Sequence, residues 1–137
     1  MSSNSSHSPR LTLFVASLAH AFSHMFMLLY ATVVLVIDTE LNFSYSELQW
    51  LAVPGFVMFG LAALPAGWLG DRWSSTGMMV IFFIGLFLAS LVTGTANSKL
   101  ELLIGLTLIG IFAAIYHPVG IAWLVKHSKN RGRALGI

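Results

Sequence analysis

The chain contains no cysteine and very little charge. Without cysteine there is no disulfide, no thiolate metal site and no cysteine nucleophile. Charged residues make up 9% of the 137, whereas soluble domains carry about 25%. So few charges cannot coat a water-exposed globule. Hydrophobic residues make up 57% of the chain, and the mean hydropathy is +0.84. Most of the surface must therefore face lipid, and the bilayer is the first partner to expect. The net charge of +2 is small and no long basic run is present, which points away from nucleic acid.

Four long apolar runs follow a Ser/Asn-rich leader, residues 1–10, which has too little apolar content to order itself. The run after the leader is too long for a signal-peptide core and lacks a clear cleavage site. The runs cover Leu11–Ile37, Leu48–Gly70, Gly77–Ala96 and Leu102–Val125. About 20 apolar residues suffice to cross a bilayer. None of the runs alternates apolar and polar residues as barrel strands do. The sequence thus predicts an all-α membrane protein with four transmembrane helices. Residues 134–137 read as the start of a fifth. A span needs its whole length to satisfy its backbone in lipid, so the chain is expected to be a fragment of a longer protein.

The connections set the orientation. Asp38–Glu47 holds three acidic residues and no basic one, and Ser46 marks the start of the next helix. Asn97–Glu101 is a very short turn, and Lys126–Arg133 is a basic loop. Arg10, Arg72, Lys126, Lys129, Arg131 and Arg133 fall on one side, with only Lys99 on the other. Basic loops stay inside, so the expected location is a plasma (inner) membrane with a cytoplasmic amino terminus. Trp50, Trp68 and Trp73 stand near span ends, where indoles favour the interface.

Helices in lipid associate where small residues let backbones approach. Small residues four apart occur at Ser17/Ala21, Ala19/Ser23, Ala63/Gly67, Ala66/Gly70, Gly85/Ala89 and Gly110/Ala114, which predicts a tight bundle. Pro54, Pro65 and Pro118 lie inside or near spans, where each removes a backbone donor and favours a kink. Pro118 is the candidate helix break at a binding site, because His117 precedes it.

His20 and His24 lie four apart and share a face of the first helix. At about 1.5 Å per residue, His24 is near mid-span, and His20 and His117 lie roughly 5 to 6 Å toward the cytoplasmic side. Ionisable groups at such depth mark proton or substrate paths, or else pair as neutral imidazoles with a neighbouring helix. Tyr30 and Tyr116 are further candidates for this pathway. Tyr30 reads first as an interfacial aromatic. Tyr116 should point to a different side of the helix from His117, since adjacent positions do not share a face. No carboxylate lies at this depth, so neither a metal nor a cofactor is expected.

Residues Gly67–Gly77 read Gly-Trp-Leu-Gly-Asp-Arg-Trp-Ser-Ser-Thr-Gly, a polar segment between two spans that must turn at the membrane surface. It resembles the signature loop of the major facilitator superfamily of transporters, roughly G-x-L-A-D-R-x-G-R-K/R. Gly67, Leu69, Asp71 and Arg72 match, and Gly70 replaces the usual alanine. Ser74, Ser75 and Thr76 stand where the family has glycine and two basic residues. Arg131-Gly132-Arg133-Ala134-Leu135-Gly136 is similar to the family's loop before its fifth helix. Tyr116-His117-Pro118 more loosely resembles the branch with fosmidomycin-resistance exporters and magnetosome-membrane transporters. Leu106 or Thr107 stands near the place of the family's frequent fourth-helix arginine.

The resemblance implies the first third of a transporter of about twelve helices, built from inverted repeats. Its first and fourth helices line the central cavity, where His20, His24 and His117 would then lie. Asp71 is expected to latch the cytoplasmic side. The implied function is secondary transport of a small solute by alternating access, coupled to protons, and not an enzyme activity. Two other readings compete: a membrane enzyme with a histidine-bound metal, and a four-helix interaction protein without transport.

Overall fold

In hydrocarbon each backbone N–H and C=O needs a partner, and a helix pairs them within one segment. The computed structural model describes residues 9–41, 43–128 and 132. Among the described residues there are helices and short links and no strand. The elements are α1 (Pro9–Leu41), α2 (Tyr45–Leu61), α3 (Ala63–Arg72), α4 (Ser75–Gly94) and α5 (Lys99–Ala113), then a π-helical turn (Tyr116–Gly120) and α6 (Ile121–His127). They make four rods long and apolar enough to cross a membrane, because α2 runs on into α3 and α5 runs through the π turn into α6. Arg131, Arg133 and the start of a fifth helix from residue 134 lie outside the described residues, as do the first eight residues of the leader.

The three prolines act differently. Pro54 sits inside α2 without interrupting it. Pro65 has no N–H to give the carbonyl of Leu61, and the α-helix is interrupted one residue later, at Ala62. Pro118 lies in the π turn, where the carbonyl of Ala114 loses its usual donor.

Hydroxyl caps set the helix starts. Ser44, not Ser46, opens α2: its side chain accepts from the N–H of Glu47, and Glu47 accepts from the N–H of Ser44. The competition between Ser44 and Ser46 is settled by spacing, since Glu47 stands three residues after Ser44. Ser74 caps α4 by accepting from Gly77 N–H at 3.0 Å, and Ser98 caps α5 by accepting from Glu101 N–H at 3.3 Å. The helix α1 extends to Leu41, so the polar connection begins as helix.

The rod of α5 and α6 is the axis of the bundle. Of its most apolar window, 56% is buried, against 17% for α1. Phe82, Leu86, Ile109, Ala113, Tyr116 and Val119 belong to the core around it. Where α2 crosses α5, the backbones nearly touch. A Cβ on Gly55 would stand 2.6 Å from the carbonyl oxygen of Leu106, and one on Gly110 would collide with the carbonyl oxygen of Gly55.

The two ends of the bundle are tied by different chemistry. At one end Lys99 Nζ meets Glu47 Oε1 at 2.6 Å, an exposed pair that adds little stability. At the other, the buried Trp123 donates its indole N–H to Thr76 Oγ1 at 3.0 Å, joining α6 to the first turn of α4.

Candidate functional site

His20 and His24 stand one turn apart on α1, and their Nε2 atoms are 3.1 Å apart, so one ring N–H donates to the other ring. His117 comes from the π turn on the opposite rod. Its ring stands edge-on to His20 at 5.9 Å and to His24 at 5.3 Å. One ring nitrogen from each of the three lies within 4.8 Å of the others. His20 and His24 are exposed and His117 is half-buried. The Nδ1 of His117 is buried and has no hydrogen-bond partner.

Tyr116 also faces α1, stacking on His20 at 5.1 Å with 15° between the planes. The expectation that Tyr116 and His117 point to different sides rests on α-helical periodicity. The π turn holds an extra residue, and that bulge brings both adjacent side chains to the same neighbour. Phe59, on α2, closes the other side of His117, edge-on at 5.6 Å.

Two contacts hold the bulge in place. Ser23, fully buried beside His24, donates its hydroxyl to the carbonyl of Ala113 at 3.2 Å. This fixes the height of α1 against the end of α5. The α3 glycines then seat the turn from behind. A Cβ on Gly67 would lie 3.2 Å from Pro118 Cβ, and one on Gly70 2.9 Å from Val119 Cγ2. Ser23 was legible only as a small residue that permits close packing, and nothing local signalled Phe59.

The segment Gly67–Gly77 is mostly helix, not loop. Its first six residues finish α3, Trp73 and Ser74 make the turn, and α4 begins at Ser75. Leu69, Asp71 and Arg72 are exposed. The Arg72 guanidinium lies 5.3 Å from the Trp68 ring centroid. Among the described residues Asp71 makes no hydrogen bond or ion pair. The three hydroxyl residues in place of the family's glycine and basic pair all bond. Ser74 caps α4, Ser75 donates to the carbonyl of Gly70 at 3.3 Å, and Thr76 accepts from Trp123.

Tyr30 does not join the histidines. Its hydroxyl donates to the carbonyl of Leu48 at 2.7 Å. It borders a separate cavity of about 480 Å³ toward the Lys99 end, lined also by Phe26, Ser90, Thr93, Asn97 and Leu106. No histidine lines that cavity.

The family model of the Major Facilitator Superfamily matches residues 13–137. The chain belongs to that superfamily. A puromycin resistance protein of Streptomyces alboniger is 28% identical over 104 residues, which are 74% of this chain and 21% of that protein. The chain thus spans about a fifth of the length of the curated relative it matches. No solved structure matches it.

Superfamily membership makes the four rods the helices of a multi-pass membrane protein, as the composition requires. Members of the superfamily are transporters and not enzymes, which sets aside the reading of a histidine-metal enzyme. Within this superfamily chain, the Gly67–Arg72 signature and the Tyr116–Pro118 segment are in direct contact through Gly67 and Pro118. The signature glycines therefore act here as a seat for the bulge that carries His117.

Proposed function

We propose that this bundle is one part of a secondary transporter that moves a small solute by alternating access, coupled to protons. The remaining helices of such a transporter lie outside residues 1–137. Support for that comes from the relative, of which the chain matches only 21%. The observation that carries the reading is the convergence of His20, His24 and His117 on one exposed face at mid-span depth. They are the only imidazole, carboxylate or ammonium side chains within the four apolar runs. Groups so placed in a membrane face a water-filled path and carry protons or contact solute. Tyr116 stacks on His20 and borders the same path. Tyr30 would serve the separate cavity toward the Lys99 end. Asp71 and Arg72 remain candidates for a cytoplasmic latch toward Arg131 and Arg133, the basic residues of the next cytoplasmic loop. The name of the relative makes puromycin the first solute to test.

In vesicles containing the whole transporter, His117→Gln is expected to abolish uptake driven by a pH gradient while leaving membrane insertion unchanged. His20→Gln is expected to do the same. Unchanged uptake in both variants removes the histidines from the coupling step.

The proposed orientation puts the amino terminus and Arg72 in the cytoplasm of a cell bounded by a plasma (inner) membrane. The lack of native cysteine makes this simple to check. In intact cells an impermeant thiol reagent should label Asn97→Cys and leave Ser128→Cys unlabelled. Labelling of both from the same side overturns the orientation.

A further inference from the structure

Two histidines four residues apart on one helix are the arrangement that lets a helix offer two nitrogens to one metal ion. His20 and His24 have it, and their Nε2 atoms are 3.1 Å apart. With metal–nitrogen bonds of about 2.0 Å and tetrahedral angles, ligand nitrogens lie roughly 3.3 Å apart. The pair is already at that spacing. The third nitrogen, from His117, lies at most 4.8 Å from the others. Closing that distance takes about 1.5 Å, which the broad χ2 well of histidine supplies by rotating the ring.

Packing and one hydrogen bond hold the cluster in place. Here Tyr116 stacks on His20, Phe59 abuts His117, and the Ser23 bond to Ala113 fixes one rod against the other. The three rings are mutually tilted by 58°, 87° and 88°, so their in-plane lone pairs need not compete for one plane. The buried and unpartnered Nδ1 of His117 is the kind of orphan that an ion or bound water explains. Exposure of His20 and His24 leaves a side open for water as a fourth ligand. An all-imidazole set suits zinc, nickel, copper or iron and not magnesium or calcium. The lack of a carboxylate at this depth argued against a metal in the sequence. Three convergent nitrogens with an open side meet the need without one.

We propose that His20, His24 and His117 form a binding site for one divalent transition-metal ion, held by three imidazole nitrogens and completed by water. This goes beyond the transport reading and does not rest on it, because it concerns equilibrium binding alone.

The test uses the 137-residue chain in lipid nanodiscs, purified with a tag that contains no histidine and titrated with Co²⁺. One Co²⁺ per chain is expected, with the visible bands of a four-coordinate ion, displaced by Zn²⁺. His24→Ala and His117→Ala should each weaken binding at least tenfold. The double variant His7→Ala/His127→Ala, which removes the two other histidines, should bind as the unaltered chain does. His24 is exposed, so its alanine variant keeps the fold and decides the matter even if His117→Ala loses its helical circular dichroism. No binding by the unaltered chain overturns the proposal. So does full binding by His24→Ala, or loss of binding in the His7/His127 variant. Co²⁺ binding as expected, together with unchanged uptake in His117→Gln and His20→Gln, would leave this site standing and remove only the coupling reading.

Discussion

Gly110→Leu is expected to break the bundle, lowering stability by about 3 kcal/mol or more. The reason lies in what holds rods together in lipid. Lipid tails are as apolar as leucine, so burying apolar area between helices gains little, and close backbone packing has to do the holding. The closest packing is the crossing of α2 and α5. There a Cβ on Gly110 collides with the carbonyl oxygen of Gly55, and a Cβ on Gly55 would sit 2.6 Å from the carbonyl oxygen of Leu106. Backbone cannot swing aside as a side-chain tip can. The two rods must separate, and α5 packs against α1, α2 and α4. Thermal unfolding of the purified chain in detergent, followed by circular dichroism, should show a large fall in midpoint or no cooperative transition. Gly60→Ala is the control. A Cβ there meets nothing within 4 Å, so only helix propensity changes, and the midpoint should hold or rise slightly. Equal behaviour of the two variants would mean that the α2–α5 crossing does not hold the bundle.

The spans were legible because hydrocarbon is an uncompromising solvent. Any run without charges and long enough to cross has little choice but helix, and the runs around Leu11–Ile37 and Leu102–Val125 needed no tertiary knowledge. Helix starts were less legible. Ser44 and Ser46 are both good caps, and only the pairing with Glu47 distinguishes them. Gly55 was missed as a crossing point because no small residue stands four positions away to flag it. Its partner is Gly110, 55 residues later, and only the tertiary arrangement brings them together.

The site was legible in its members and not in its geometry. His20, His24 and His117 stand out by polarity and depth alone. That Tyr116 shares their neighbour depends on the π turn, which breaks the periodicity that sequence reading assumes. Tyr30 shares the polar character of the pathway but lies six residues beyond His24 on the same helix, toward the Lys99 end, at another cavity. The signature residues show the same limit. Gly67 and Gly70 match a family pattern, yet the pattern does not say that they pack against Pro118 and Val119. Nor does it say that Ser74, Ser75 and Thr76, in place of the glycine and basic pair, build the turn from hydroxyl hydrogen bonds.

Pro118→Ala should separate stability from function. In a helix interior, proline is about 3 kcal/mol less favourable than alanine. Alanine restores an N–H for the Ala114 carbonyl and lets the π turn relax toward a regular α-helix. Two effects oppose that gain. Alanine loosens the unfolded chain, which costs about 0.4 to 1 kcal/mol, and the ring gives up its contact with Gly67. A net stabilisation of about 1 kcal/mol remains, read as a higher unfolding midpoint. The same relaxation removes the extra residue that turns Tyr116 and His117 toward α1. His117 would then rotate away from His20 and His24, which now stand 5.9 and 5.3 Å from it between ring centroids. Misplacing a functional group by about 1 Å can cost a hundredfold in rate, so transport driven by a pH gradient should fall about tenfold or more. A variant that is more stable and less active would show that the bulge is strain kept for the site. If Pro118→Ala transports as well as the unaltered protein while its midpoint rises, then the cluster does not depend on the bulge, and Ser23 with the α3 glycines must be enough to hold His117 in place.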